Sequence, residues 1–278
     1  MAHYRAEGLR EFTEIPAPGP RRVVVAAVHS QPSKSRSAEE NVRRFLEVVD
    51  KAVPEKTDVI LLPEGITVVG TGKKYADVAE PAPGPTTALL AEAARKKRAY
   101  IVAGIYEREG QLLYNTAVLV DRDGNLADKY RKVYLPREEM EGGLTPGDDY
   151  PVFATDFGRV QLMICWDVQY ADPARALALE GAELVLVPIW GGNETLGTAR
   201  AIENHVFIAT CGYDYPTYVM DSAGKVLAQA AGQGTAAVAT IDLNRRYVDP
   251  WLGHMRGRFF EELRLDVPVG PPRSYWVE

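Results

Sequence analysis

Cys165 is the residue of this chain whose sequence surroundings most clearly suggest chemistry. It follows the apolar run 160–164 and comes just before the polar turn at Trp166 and Asp167. Sites in α/β sheets form beyond the carboxyl ends of strands, so a thiol here is placed to act as a nucleophile. Free cysteine is also among the most buried residue types, and its position alone is explained at least as well by a small core side chain.

A nucleophilic thiol needs a base, and histidine is the usual one. The four histidines are far apart in the sequence and show no ligand spacing or local signature: His3, His29, His205 and His254. The sequence therefore disfavours a cysteine–histidine peptidase and predicts no metal site.

Two charged residues offer an alternative to histidine. Glu64 follows the apolar run 59–62 and Pro63. A carboxylate at the mouth of a buried strand is costly unless it is hydrogen-bonded or functional, so Glu64 is a candidate general base, with an exposed loop carboxylate as the alternative. Lys132 lies where cations alternate with apolar residues, which is typical of a solvated strand face. An ammonium beside a thiol would instead lower the thiol pKa and stabilise an oxyanion.

The elements that must position these residues alternate between strands and helices. Apolar runs predict strands at 22–29, 59–63, 100–106, 184–189, 206–211 and 236–241. Start signals predict helices after Ser37, with Glu40 completing a capping box, at Pro85, and after an N-cap at Asp172. Turn residues at 121–125, 157–159 and 221–224 predict three hairpins. The pattern indicates one α/β domain with packed sheets and helices outside.

Composition and charge narrow the class of protein. The chain has 278 residues, a net charge of -6 and no basic stripe, so we expect a small-molecule substrate and no nucleic-acid partner. Two cysteines, a polar N-terminus and short apolar runs predict a cytoplasmic protein without a signal peptide or membrane contact. Residues 1–20, with three prolines, are predicted to be an arm. Residues 251–278 are predicted to be a tail that packs at a subunit interface.

Three separated segments together resemble one known family. Leu62-Pro63-Glu64, then 129–132, then 164–167, in this order and spacing, resemble the nitrilase superfamily of carbon–nitrogen hydrolases. The resemblance implies a four-layer α-β-β-α sandwich of the nitrilase type, formed as a single domain over 21–250. It also implies a catalytic triad of Glu64, Lys132 and Cys165, and a homodimer or higher homo-oligomer.

The resemblance also implies how such a site would work. Cys165 would form a thioester, Glu64 would act as base and acid, and Lys132 with the backbone N–H of Trp166 would hold the oxyanion, with no cofactor. Members of the family place a second glutamate before the Pro-Gly pair. Here Glu141 is the favoured candidate because of its distance from Pro146-Gly147, and Glu139 is the alternative.

The substrate is left open between an amide, an N-carbamoyl compound and a nitrile. Some similar members carry arginines just after the cysteine, but here the first arginine is Arg175. Asp167 is expected to repel a substrate carboxylate, so we expect a neutral aliphatic amide. A cation from Arg175, Arg200 or a second subunit would reverse this expected preference and favour a substrate with a carboxylate. A non-catalytic binding module on the same fold is the remote alternative, and the intact triad argues against it.

Overall fold

The computed structural model describes residues 18–249, 251, 253–256, 262–264 and 266–267. Residues Gly19–Asn244 form one compact unit, and the described residues from Arg245 onward belong to a second unit. The predicted domain bounds of 21–250 stay a prediction. The predicted arm 1–20 and tail 251–278 lie largely outside the described residues, and their roles stay predictions.

The first sheet has six strands, numbered here in chain order. They are β1 (Arg22–His29), β2 (Val59–Leu61), β3 (Tyr100–Glu109), β4 (Leu112–Val120), β5 (Leu126–Arg131) and β12 (Thr235–Asp242). Their order across the sheet is β12-β1-β2-β3-β4-β5. The neighbours β1, β2 and β3 are parallel, and the remaining pairs are antiparallel. The short strand β2 lies within the parallel part, with all three residues buried.

The second sheet also has six strands. They are β6 (Phe153–Ala154), β7 (Arg159–Leu162), β8 (Leu184–Pro188), β9 (Phe207–Cys211), β10 (Tyr218–Met220) and β11 (Val226–Gln229), in the order β11-β10-β9-β8-β7-β6. Its central strands β7, β8 and β9 are parallel. In the second unit, β13 (Val248–Asp249) pairs with β14 (Gly253–His254).

The unit Gly19–Asn244 also contains six α-helices, the longer of which form the outer layers over the two sheets. They are α1 (Ala38–Ala52), α2 (Tyr75–Val78), α3 (Pro85–Lys97), α4 (Arg137–Glu141), α5 (Ala171–Leu179) and α6 (Glu194–Asn204), with a 3₁₀ helix at Cys165–Gln169. Phe45 of α1 and Leu90 of α3 share a buried core with Ile60 and Ile101 of the first sheet. Strand β1 contacts β9 and β10 across the sheet interface, and α5 contacts α6. The predicted four-layer α-β-β-α sandwich is confirmed.

The starts of two helices show where local signals succeed and fail. At α1 the Ser37 hydroxyl accepts the N–H of Glu40 at 3.1 Å, as predicted, although the Glu40 carboxylate accepts from Arg36 rather than from Ser37. The predicted N-cap at Asp172 is wrong, because α5 begins at Ala171. The Asp172 carboxylate instead accepts the hydroxyl of Tyr134 at 3.1 Å.

Among the described residues, no helix has both the length and the apolar character needed to cross a membrane.

Candidate active site

Glu64, Lys132 and Cys165 each follow a strand closely. Glu64 lies three residues after β2, Lys132 directly follows β5, and Cys165 lies three residues after β7. The first two strands belong to one sheet and the third to the other. The carboxyl ends of β2, β5 and β7 therefore bring the charged residues and the thiol to the interface of the two sheets, where all three side chains are buried.

Lys132 is the centre of a buried ionic cluster. Its Nζ lies 2.9 Å from Oε1 of Glu64 and 3.0 Å from Oε2 of Glu139. The exposed fractions of the Lys132, Glu64 and Glu139 side chains are 1%, 2% and 6%. A buried charge is tolerated only when it is paired and hydrogen-bonded, so these three groups depend on one another.

Asn115 joins the two carboxylates through the two hydrogens of its side-chain amide. Its Nδ2 donates to Oε1 of Glu64 and to Oε1 of Glu139, both at 2.7 Å. Asn115 lies in β4, between β3 and β5, and is fully buried. One amide therefore fixes the orientation of both glutamates while Lys132 compensates their charge.

The preference for Glu141 as the second carboxylate is wrong. Glu141 is exposed and accepts Nε of Arg137 at 2.7 Å on the surface of α4. Glu139, two residues earlier, is the residue that reaches Lys132. The segment forms a helix rather than the open loop assumed from sequence, so residues two apart point to different sides. Distance along the chain from Pro146 therefore selected the wrong glutamate.

The backbone around Glu64 is held from several sides. Tyr213 donates its hydroxyl to the Glu64 carbonyl at 2.8 Å. Gly104 of β3 lies so close that a Cβ built on it would be 2.6 Å from Cα of Glu64. On the far side, the buried Asn41 donates to the carbonyls of Ile66 and Val69 at 2.9 and 2.6 Å. The position of the Glu64 carboxylate is therefore fixed by backbone contacts as well as by its ion pair.

Cys165 adopts a backbone conformation that is rare for a residue with a side chain. Its φ is +43°, in the left-handed region, which typically costs about 1–3 kcal/mol outside glycine. Residues in such conformations cluster at functional sites, where the rest of the fold holds them. The turn directs the thiol toward Gly191, whose carbonyl accepts from Sγ at 3.5 Å.

The thiol and the ammonium differ in how burial affects them. Burial, together with the charge of Glu64, raises the pKa of Cys165 to about 12, although Lys132 opposes the shift. We expected Lys132 to lower this pKa, and its contribution has that sign but is outweighed by desolvation. Burial alone would lower the pKa of Lys132, but Glu64, the Cys165 thiolate and Glu139 raise it. At neutral pH the site therefore holds a protonated thiol beside a charged ammonium.

Glu139 is a carboxyl group of this cluster whose pKa lies in the neutral range. Burial, opposed by Lys132 and increased by Glu64, raises the pKa of Glu139 to about 7. Two carboxylates share one ammonium, so their mutual repulsion has to be offset by that cation and by Asn115. The cluster can therefore take up a proton without Lys132 losing its charge.

The residues after Cys165 differ from the sequence-based interpretation. Asp167 does not face the pocket mouth: it is fully buried and accepts the N–H of Tyr134 at 2.9 Å and of Ile164 at 2.9 Å. Arg200 donates to the carbonyl of Val168, and Arg175 donates to Asn204. The predicted repulsion of a substrate by Asp167 is thus wrong. Trp166 follows Cys165 in the 3₁₀ helix, and the role of its N–H stays a prediction.

Sequence reasoning missed two polar residues of this site, Asn115 and Tyr213, and placed Asp167 wrongly at the pocket mouth. For Asn115 a signal was present in the sequence. A polar side chain within an otherwise apolar strand was the available signal, because such a group needs a buried partner. The described residues contain no group of three or more His, Cys, Asp or Glu side chains arranged to hold a metal ion.

Comparison with known proteins places this geometry in context. The carbon-nitrogen hydrolase family model matches residues 24–252. The chain is 31% identical over 272 residues to human omega-amidase NIT2, covering 88% of this chain and 92% of that protein. It is 30% identical over 280 residues to omega-amidase NIT2 of Danio rerio, covering 91% and 94%.

Solved structures show the same fold. Nit3 of Saccharomyces cerevisiae, a member of the nitrilase superfamily, is 24% identical with a TM-score of 0.71 over 80% of this chain and 90% of that one. A mutant amidase from Nesterenkonia sp. AN1, with the acetamide moiety of fluoroacetamide added at its active-site cysteine, is 22% identical with a TM-score of 0.73. That match covers 90% of this chain and 97% of the amidase.

Gly104→Ala should disturb Glu64 through the backbone. The new Cβ would lie 2.6 Å from Cα of Glu64 and 3.1 Å from N of Gly65, and neither atom belongs to a flexible side chain. A displacement near 1 Å should lower kcat for amide hydrolysis on the order of a hundredfold. Gly19→Ala is the matched control, because nothing lies within 4 Å of its added Cβ. Equal kcat in the two variants would contradict this account of how Glu64 is held.

Glu139→Gln and Glu141→Gln should show which of the two carboxylates the activity requires. Loss of charge at Glu139 removes an ion pair at 3.0 Å to Lys132, so kcat should fall by on the order of tenfold or more. Glu141→Gln changes an exposed pair with Arg137 and should leave kcat unchanged. Steady-state kinetics with thermal unfolding of both variants provide the measurement. A larger loss of kcat in Glu141→Gln would restore the original assignment.

Proposed function

Because the chain belongs to the carbon–nitrogen hydrolase family, we propose that it uses Glu64, Lys132 and Cys165 to hydrolyse a small uncharged amide. The observation that carries the proposal is the buried pair of Lys132 and Glu64, 2.9 Å apart, which acts electrostatically on the Cys165 thiol. A protonated thiol, a charged ammonium and a carboxylate are the groups that acyl transfer requires.

The first half of the reaction forms a thioester. Glu64 takes the proton of the Cys165 thiol while Sγ bonds to the amide carbon, and the carbonyl electrons move to oxygen. This transfer is needed because burial raises the pKa of Cys165 to about 12, so the free thiolate is scarce at neutral pH. The tetrahedral intermediate collapses, its carbon–nitrogen bond breaks, and the same proton passes from Glu64 to the departing ammonia.

The second half regenerates the thiol. Glu64 removes a proton from water as the water oxygen attacks the thioester carbon. The carbon–sulfur bond then breaks, Sγ recovers the proton, and a carboxylic acid leaves. Both halves pass through an oxyanion, which Lys132 and the backbone N–H of Trp166 stabilise. Each such donor typically lowers the barrier by about 3–4 kcal/mol.

Glu139 and Asn115 support this chemistry without reacting. Glu139 lies 3.0 Å from Nζ of Lys132, and Asn115 donates to both carboxylates. With Glu139 present, the ammonium keeps a carboxylate partner at the moments when Glu64 carries a proton. Lys132 thus stays charged and fixed through both halves of the reaction, which is the condition for a preorganised oxyanion site.

The surroundings of Cys165 favour an uncharged substrate. Tyr215 lies near Cys165. Burial is the main cause that raises the pKa of the Tyr215 hydroxyl, Tyr218 raises it further, and a negative charge on Cys165 also contributes. A Cβ on Gly192 would lie 3.3 Å from Nε2 of Gln169 and 3.8 Å from the Tyr215 ring. Arg200 is engaged with Glu203 at 2.7 Å and with backbone carbonyls. Amide, aromatic and backbone groups thus lie near Cys165 beyond the ionic cluster, and the Glu194 carboxylate near Tyr215 would repel a substrate carboxylate.

N-carbamoyl compounds and nitriles are the alternative substrates, because the same triad attacks an electrophilic carbon in each. An N-carbamoyl amino acid carries a carboxylate, whose binding needs a cation that the contacts of Arg175 and Arg200 do not leave available. A homo-oligomeric assembly and a cytoplasmic location, both expected from sequence, stay predictions.

An ammonia-release screen tests the proposed activity. Wild-type protein should release ammonia from short aliphatic amides, and Cys165→Ser should lose nearly all turnover while keeping its circular dichroism spectrum. Cys211→Ser is the matched control, since Cys211 is buried in β9 with its thiol donated to the Val28 carbonyl. In a Glu64→Gln background, mass spectrometry should find the acyl adduct on the Cys165 peptide. An adduct on another residue would overturn the mechanism.

Substrate charge is tested by a matched pair of compounds. We expect a higher kcat/KM for an uncharged short aliphatic amide than for an N-carbamoyl amino acid of similar length, because the carboxylate would lose hydration without gaining a cation. Both compounds are measured on one enzyme preparation at several salt concentrations. A preference for the charged compound that weakens with salt would show that a cation does line the site.

A further inference from the structure

Asp167 joins the two chain segments that carry the ammonium and the thiol. One segment runs from Tyr130 through Lys132 to Tyr134, and the other from Ile164 through Cys165. The Asp167 carboxylate accepts the Tyr130 hydroxyl at 2.8 Å and the N–H of Tyr134 at 2.9 Å. It also accepts the N–H of Ile164 at 2.9 Å. Its partners therefore lie two residues on either side of Lys132 and directly before Cys165.

The carboxylate is completely buried, as is Tyr130. Removing a carboxylate from water is costly, and three donors are needed to offset that cost. A core aspartate that only stabilised the 3₁₀ turn would need no partner on another segment, because the N–H of Ile164 already caps that turn locally. The bonds to Tyr130 and Tyr134 bridge separations of 37 and 33 residues.

A second contact supports the same junction from the solvent side. The Tyr134 ring stacks on Tyr170 with 3.9 Å between centroids, and its hydroxyl donates to Asp172 at 3.1 Å. The segment after Lys132 is thus fastened to the segment after Cys165 at a buried end and at an exposed end. Both attachments act on Tyr134, two residues from the ammonium.

We propose that Asp167 is a positioning residue that sets the distance between the Lys132 ammonium and the Cys165 thiol. The inference rests on the proposed function, in which Lys132 must meet the oxyanion that forms when Cys165 attacks. A displacement of about 1 Å between such groups typically costs on the order of a hundredfold in rate. The strained φ of +43° at Cys165 adds to the need for a clamp, because the turn would otherwise relax.

Asp167→Asn is the most direct test. Whichever way the amide is oriented, its NH₂ group faces the N–H of either Tyr134 or Ile164, so one of the two segments is released. We expect kcat to fall on the order of tenfold to a hundredfold, with KM within about twofold. Alkylation of Cys165 by iodoacetamide, followed by peptide mass spectrometry, should slow in parallel.

Asp221→Asn is the matched control. Asp221 is also a buried carboxylate, and it accepts the N–H groups of Ala223 and Lys225 at 3.0 Å in the hairpin between β10 and β11. One amide oxygen can still accept both N–H groups, so this variant should keep its melting temperature, kcat and alkylation rate close to those of the wild type. If Asp167→Asn keeps wild-type kcat and alkylation, whatever its melting temperature, Asp167 is purely structural and the proposal fails.

Tyr130→Phe covers the case in which Asp167→Asn does not fold. It removes one donor to Asp167 and keeps the ring, so a smaller fall in kcat with unchanged KM is expected. An unchanged kcat and alkylation rate in this variant would also overturn the proposal. The alkylation assay tests the positioning role of Asp167 independently of the proposed amide hydrolysis. If wild-type protein releases no ammonia from any amide, the proposed function fails, while slower alkylation of the variants still supports the positioning role.

Discussion

The buried ion pair of Lys132 with Glu64 and Glu139 is the constraint around which the rest of this structure is organised. One ammonium faces two carboxylates in a region from which water is excluded, so the second negative charge has to be offset by hydrogen bonds to both carboxylates and by the raised pKa of Glu139, about 7. Asn115 supplies both of those bonds from the strand between β3 and β5. The cluster therefore depends on the relative positions of β2, β4, β5 and α4. Displacement of any one of these elements would leave a buried charge without one of its partners.

The same burial makes the Cys165 thiol harder to deprotonate. A thiol placed in a dry pocket is a poor nucleophile at neutral pH, and the pKa of Cys165 is raised to about 12 by burial and by the neighbouring carboxylate. Lys132 reduces this shift without reversing it. A site built in this way cannot rely on a preformed thiolate and has to remove the proton during attack. In the proposed mechanism Glu64 removes this proton, while Glu139, 3.0 Å from Lys132, keeps the ammonium paired.

Much of this arrangement could be predicted from sequence because Glu64 and Cys165 closely follow apolar strands. The runs before Glu64 and Cys165 become β2 and β7, and the layered architecture follows from the alternation of strands and helices. The choice between Glu139 and Glu141 could not be made, because it depends on a five-residue helix with no strong start signal. Asp167 was misread for a related reason: a polar residue in a turn is ordinarily exposed, and its burial depends on Tyr130 and Tyr134 from a distant segment.

Two kinds of interaction therefore position the residues at this sheet interface. Charge compensation orders the residues contributed by the first sheet, since Glu64, Lys132 and Glu139 have few other partners that would satisfy them. Hydrogen bonds from backbone N–H groups order the turn that carries Cys165, because the thiol itself makes only a weak contact with the Gly191 carbonyl at 3.5 Å. Asp167 is where the two systems meet. Its carboxylate holds the turn through Ile164 and the lysine segment through Tyr134.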